Sequence, residues 1–126
     1  MARARILLAD DNKEMRDRVV TLLSPDFDML EPVTDGRALL EAASRFKPDV
    51  CLMDISMPII NGIEAATQLK RSGSMAKVIF LAIDEDVDFI QAALQTGASG
   101  YVLKRRIVSY LNTAVKEALA GGIFIS

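Results

Sequence analysis

Short, almost wholly apolar runs alternate along this chain with longer stretches whose apolar residues recur every three or four positions. The short runs are β-branched or leucine-rich, as in strands covered on both faces, and the longer ones carry the period of an amphipathic helix. Strands are expected at Arg5–Ala9, Met29–Val33, Asp49–Met53, Val78–Ala82 and Gly100–Leu103. Helices are expected at Lys13–Leu23, Arg37–Phe46, Ile63–Arg71, Val87–Thr96 and Ile107–Leu119. Met15, Val19, Leu22 and Leu23 mark the apolar stripe of the first helix, and Ile107, Leu111, Ala114, Val115 and Ala118 that of the last. Ser24-Pro25, Lys47-Pro48, Ser72-Gly73, Gly97 and Gly121-Gly122 fall where these helices should stop. The resulting (βα)₅ chain is of the α/β class and closes best as an open, doubly wound, five-stranded parallel sheet with right-handed crossovers and helices on both faces. A single domain is expected over residues 1–120, with 121–126 as a tail or the start of a linker.

Composition narrows the function classes. The 126 residues suit one core, and 51% hydrophobic with 25% charged residues is the balance of a globular protein. No apolar run approaches the roughly 18 residues of a membrane span, and Met1 to Arg5 leads straight into a strand, so a cytoplasmic location without membrane contact is expected. The chain has no histidine, which removes Ser-His-Asp and Cys-His catalysis, histidine zinc sites and a phosphorelay histidine of its own. Cys51, inside Val50-Cys51-Leu52-Met53, reads as a buried inert thiol. A net charge of −2 gives no electrostatic reason for this segment to bind nucleic acid.

In a doubly wound sheet the site lies beyond the carboxyl ends of the strands, where strand order reverses. Asp10-Asp11-Asn12 follow the first strand, Asp54 opens Asp54-Ile55-Ser56-Met57-Pro58 after the third, and Lys104 follows the fifth. Three carboxylates at one point repel one another unless a cation offsets them, and oxygen ligands suit a hard ion. Magnesium fits better than calcium, since it takes few carboxylates, keeps waters and works with phosphate. An aspartate can attack a phosphoryl donor while a metal and a fixed lysine neutralise the transferring oxygens, which makes Asp54 the candidate acceptor. The plainer alternative is that Asp10 and Asp11 cap the first helix, Asp54 opens a turn and Lys104 is a solvated cation.

Ile6-Leu7-Leu8-Ala9-Asp10-Asp11, Asp54-Ile55-Ser56-Met57-Pro58 with Asn61-Gly62, and Gly97-Ala98-Ser99-Gly100-Tyr101-Val102-Leu103-Lys104 together resemble the receiver domains of two-component response regulators. The resemblance covers nearly the whole chain and implies a flavodoxin-like, CheY-like three-layer sandwich. It implies that Asp54 accepts phosphate from a sensor histidine kinase. Asp11 and Asp54 would ligate Mg2+ directly, Asp10 mainly through water, and Ser56 through its carbonyl; Lys104 and the backbone N–H of Ile83 would hold the phosphoryl group. The wording Val115 to Ser126 resembles the end of receivers in LuxR-type transcription regulators, so the chain is expected to be either a receiver separated from such an output domain, with DNA binding only through it, or a stand-alone receiver. A homodimer through the fourth and fifth helices and the fifth strand is a further expectation from the family.

Two departures from the family pattern stand out. Receivers typically end the fourth strand with Thr or Ser, whose hydroxyl bonds the phosphoryl group and lets the aromatic residue at Tyr101 swing inward; here the residue is Ala82. Lys104 is followed by Arg105 where many receivers have proline, so a trans bond is expected there. Arg105-Arg106 then reads as a partner contact or a solvated pair, and Met57-Pro58-Ile59-Ile60 as an apolar loop able to dock a kinase helix. Asp84-Glu85-Asp86 suits the cap of the fourth helix, with Asp84 near enough the site to tune water access. The leading expectation is a phosphorylation-controlled switch without a metabolic substrate of its own, assisting only its own phosphotransfer and dephosphorylation. The alternative is a receiver-like module that works without phosphorylation, motivated by Ala82. A magnesium-dependent phosphatase would want an acid where Ser56 stands, and no glycine-rich loop supports a nucleotide binder.

Overall fold

Residues 3–83 and 85–125 are described by a computed structural model. Its strands are β1 (Arg5–Ala9), β2 (Asp28–Met29), β3 (Val50–Asp54), β4 (Lys77–Ala82), β5 (Gly100–Leu103) and β6 (Phe124–Ile125). All pair in parallel, in the order β2-β1-β3-β4-β5-β6. The helices are α1 (Lys13–Leu23), α2 (Gly36–Phe46), α3 (Gly62–Arg71), α4 (Val87–Gln95) and α5 (Ile107–Leu119), with a 3₁₀ turn at Lys104–Arg106.

Alternation along each strand builds the three layers. Ile6, Leu8, Leu52, Ile79, Leu81 and Val102 point to the face that α1 and α5 cover with Val19, Leu23, Leu111 and Val115. Leu7, Ala9, Cys51, Met53, Phe80 and Leu103 point to the other, covered from α2, α3 and α4 by Leu39, Leu69 and Ala93. Each fully buried Leu or Ile contributes about 1.5–3 kcal/mol, so both faces resist opening and the strand ends between them are held rigidly. Burial pushes the Cys51 thiol up to about 12, which leaves it protonated and inert as its sequence context implies.

Two features differ from the sequence pattern. The second strand shortens to Asp28–Met29 because Pro32, inside the predicted Met29–Val33, has no N–H to donate. The chain still runs beside β1: Leu30 N donates to Ile6 O and Val33 N to Leu8 O, each at 2.9 Å, and Ala9 bridges Val33. The partner offset grows by one residue between Ile6↔Met29 and Ala9↔Val33, so the Glu31-Pro32 stretch is accommodated as a bulge. At the other edge, residues expected to be a tail add a sixth strand to the expected five. Phe124 N donates to Ser99 O at 3.0 Å, and the Phe124 ring lies 5.8 Å from that of Tyr110. Two residues are too few to carry a period, which is why the pattern is silent on β6.

Helix punctuation follows the sequence closely. Asn12, Asp35, Asn61 and Asp86 cap the first four helices by accepting from backbone N–H groups one turn on. Gly73, Gly97 and Gly121 take positive φ directly after α3, α4 and α5.

Candidate functional site

The order in which strands are added to the sheet reverses between β1 and β3, which are parallel neighbours although β2 lies between them in sequence. Their register pairs Ala9 with Met53, so Asp10 emerges beside Asp54. On the far side Ala82 pairs with Leu103, which brings Lys104 out next to the end of β4. Asp10, Asp54 and Lys104 thus converge because three strands end at one level, as inferred from their positions in the sequence.

Lys104 Nζ lies 2.9 Å from Asp10 Oδ2 and 3.0 Å from Asp54 Oδ2, its side chain only 13% exposed, so it is not a solvated cation. Asp10 is fully buried: its Oδ1 accepts from Asn12 N at 2.9 Å, and its carbonyl accepts from Arg16 at 2.9 Å. Asp54 is 6% exposed and accepts from Ser56 N through Oδ1 at 3.1 Å. Asp11 is exposed. The helix cap itself is Asn12, which accepts from Met15 N, so neither Asp10 nor Asp11 is spent on capping.

Burial raises the pKa of Asp54 more than the hydrogen bond and charge of Lys104 lower it, with the neighbouring Asp10 adding to the rise. Burial alone would pull Lys104 down, yet Asp10 and Asp54 outweigh it and hold the ammonium above its ordinary value. A carboxyl whose folded pKa exceeds its unfolded one favours folding below the unfolded value, and that contribution is lost as pH rises through the folded value. Asp54→Asn should therefore be more stable than the native chain at neutral pH in metal-free buffer, the gain shrinking toward the acid end of the carboxylate range. Urea denaturation at both pH values measures it; an equal gain at both would remove ionisation of Asp54 as the cause.

The remaining sequence-predicted residues fall around this centre. Ser56, Ala82, Ile83 and Tyr101 line, with Asp54 and Phe89, a cleft of about 90 Å³ at the strand ends. Tyr101 is fully buried and Ile83 largely exposed. The loop after β3 is divided: Met57 packs into the core, whereas Ile59 is 70% exposed and takes φ +70° in a turn closed by Ile60 N donating to Pro58 O at 2.8 Å. An exposed β-branched residue in that conformation is rare, so the loop is held by its surroundings. Gly36 and Gly62 allow its two ends to be approached closely. A Cβ on Gly36 would lie 2.1 Å from Ile60 O, and one on Gly62 2.4 Å from Asp54 O. Glu85 meets Arg105, and Arg106 at 3.4 Å, so the two arginines bridge to the β4–α4 connection instead of standing free in solvent. Asp86 caps α4; Asp84 lies outside the described residues. No cis peptide bond occurs among the described residues, Lys104-Arg105 included.

Sequence reasoning missed Arg16 and Gly36, and took Gly62 only as part of the Asn61-Gly62 motif without seeing its contact with the acceptor strand. The glycines carried a signal, since each begins a helix, where a residue with a side chain would otherwise be preferred. Arg16 looked like one of several exposed helix charges.

The acid cluster suits a hard cation. One oxygen each from Asp10, Asp11 and Asp54 lie within 4.8 Å of one another. Asp10 Oδ2 is buried and makes no hydrogen bond among the described residues, meeting only the Lys104 charge. One ammonium shared by Asp10 and Asp54 leaves the three carboxylates with net negative charge, which a hard cation would offset. No described helix is long and apolar enough to cross a membrane.

Comparison with known proteins agrees with this geometry. Residues 6–116 match the sequence profile of the response regulator receiver domain. The chain is 37% identical over 123 residues to the transcriptional regulatory protein DegU of Brevibacillus brevis, covering 96% of this chain and 52% of that protein. It is 31% identical over 125 residues to the nitrate/nitrite response regulator protein NarL of Escherichia coli K12, covering 98% and 58%. The chain thus spans somewhat over half the length of these curated relatives. Among solved structures, a LuxR-family two-component response regulator from Aurantimonas sp. SI85-9A1 superposes with a TM-score of 0.90 at 28% identity, covering 99% of this chain and 91% of that one.

Proposed function

We propose, for a chain that belongs to the response regulator receiver domain family, that Asp54 accepts a phosphoryl group from the phosphohistidine of a sensor histidine kinase. The observation that carries the reading is the pairing of a buried Asp54 with Lys104 at 3.0 Å, beside two further carboxylates that Lys104 alone does not neutralise. A carboxylate oxygen of Asp54 attacks phosphorus; the P–O bond forms as the P–N bond to the donor imidazole breaks. Partial desolvation makes that carboxylate more basic than an ordinary one. Lys104 is placed to meet charge on the transferring oxygens, and the Ile83 N–H, at the mouth of the same cleft, is a second donor for the phosphoryl group.

Asp10, Asp11, Asp54 and the Ser56 carbonyl would hold Mg2+, which when bound offsets the charge of the carboxylates and of the incoming phosphoryl oxygens. The chain works as a switch: its only chemistry is its own phosphotransfer and the hydrolysis that resets it, in the cytoplasm. Its longer relatives are transcriptional regulators by name, and we extend that output to this chain through a DNA-binding domain, with a homodimer formed across α4, β5 and α5. Tyr101, buried beside the acceptor cleft, would carry the change of state outward, and Ala82 leaves that route without the usual hydroxyl.

Intact mass after incubation with Mg2+ and a small phosphodonor tests the reading. One phosphoryl adduct is expected on the native chain, and none on Asp54→Asn or after metal removal. A folded native chain that binds Mg2+ yet gains no adduct would instead favour the phosphorylation-independent module.

A further inference from the structure

Asp10 is held at every polar atom. Its N–H donates to Val33 O at 3.1 Å, its Oδ1 accepts from Asn12 N, its Oδ2 faces Lys104, and its carbonyl accepts from the Arg16 guanidinium at 2.9 Å. The last contact is unusual in its choice of partner. Arg16 stands within reach of an acidic cluster, yet among the described residues it forms no ion pair, and its guanidinium hydrogen bond goes to a neutral backbone oxygen. A cation whose purpose was neutralisation would be expected against a carboxylate, where a charge-assisted bond is stronger. Here Arg16 takes up no carboxylate oxygen of the cluster.

The carbonyl that Arg16 grips belongs to the Asp10–Asp11 peptide. Asp11 is exposed and has no side-chain hydrogen bond or ion pair of its own among the described residues. The orientation of its Cα therefore depends on that peptide plane. Arg16 sits one turn into α1, where Arg16 N donates to Asn12 O, so the helix and the strand end are fixed to each other through it.

We propose that Arg16 is a positioning residue for the cation site: by fixing the Asp10–Asp11 peptide from α1 it aims Asp11 at the ion without consuming a ligand atom. The assignment rests on the reading of these carboxylates as a Mg2+ site and deepens it.

The test separates position from charge by sign. Taking a positive charge away from three carboxylates would, by Coulomb attraction alone, tighten Mg2+ binding. Loss of positioning weakens it. Mg2+ titration calorimetry should show Arg16→Met binding about tenfold more weakly than the native chain, the size of one lost hydrogen bond involving a charged group. Arg16→Lys, which keeps charge and a donor, should recover part of the loss. Thermal unfolding without metal identifies a variant that has merely lost its fold, and Arg16→Gln, also expected to bind more weakly, then carries the same question. Unchanged or tighter Mg2+ binding in the folded variants would overturn the proposal. A native chain that binds Mg2+ but takes no phosphate would end the acceptor reading and leave this assignment standing; a native chain that binds no Mg2+ would overturn both.

Discussion

Replacing Lys104 by methionine should cost the chain about 3 kcal/mol of stability at neutral pH, because it removes the ammonium that lies between two buried carboxylates. Asp10 is fully buried and Asp54 nearly so, and the ammonium lies within 3.0 Å of both. Breaking such a pair leaves its charges uncompensated, which is more costly than never having built it. The loss should shrink as pH falls, since Lys104 limits the rise that burial gives the Asp54 pKa and without it the carboxyl protonates more readily. Added Mg2+ should return part of the stability by binding the folded state alone. Urea denaturation at neutral and acid pH, with and without Mg2+, reads all of this. A loss well below 1 kcal/mol would put Lys104 among the ordinary surface pairs, whose contribution is small.

A methyl group on Gly62 should be nearly as damaging and should reach the acceptor directly. Its Cβ would stand 2.4 Å from the Asp54 carbonyl oxygen and 2.9 Å from Ile55 Cα, both backbone atoms that cannot step aside as a flexible side chain could. Gly62 N also donates to Ile55 O at 2.8 Å, so the start of α3 is pressed against the end of β3. Gly62→Ala should lose about 2 kcal/mol through overpacking and slow phosphorylation of Asp54 by moving the strand end that carries it. Gly73→Ala is the control: its Cβ meets nothing within 4 Å, and φ is +84°. It should lose about 1 kcal/mol from backbone strain and leave phosphorylation unchanged. Equal effects of the two substitutions on phosphorylation rate would dissociate Gly62 from the site.

Much of the molecule is legible before any coordinates. The first, third, fourth and fifth strands are short apolar runs bounded by turn residues, and their limits hold to within a residue because burial on both faces demands apolar side chains at each position. The helices hold equally well, since capping side chains and positive-φ glycines are local requirements. The pattern overextends the second strand because Glu31 and Pro32 interrupt the apolar positions between Met29 and Val33, and it carries no sign of β6 because pairing with β5 is all that makes Phe124 and Ile125 a strand. In the loop after the acceptor, four apolar residues look alike in sequence; only packing buries Met57 and leaves Ile59 in solvent.

The sequence by itself determined which groups stand at the strand ends, because residues that follow apolar runs in a doubly wound sheet must emerge on one side. Asp10, Asp11, Asp54 and Lys104 were therefore nameable as a cluster. What only the tertiary structure decided is how the cluster is held. The pairing of Lys104 with both Asp10 and Asp54, the close approach of Gly62 to the acceptor strand and the grip of Arg16 on the Asp10 carbonyl all depend on the register and packing of neighbouring elements. Such contacts join residues through distances and angles, and those are fixed only when the sheet has closed and its helices have seated.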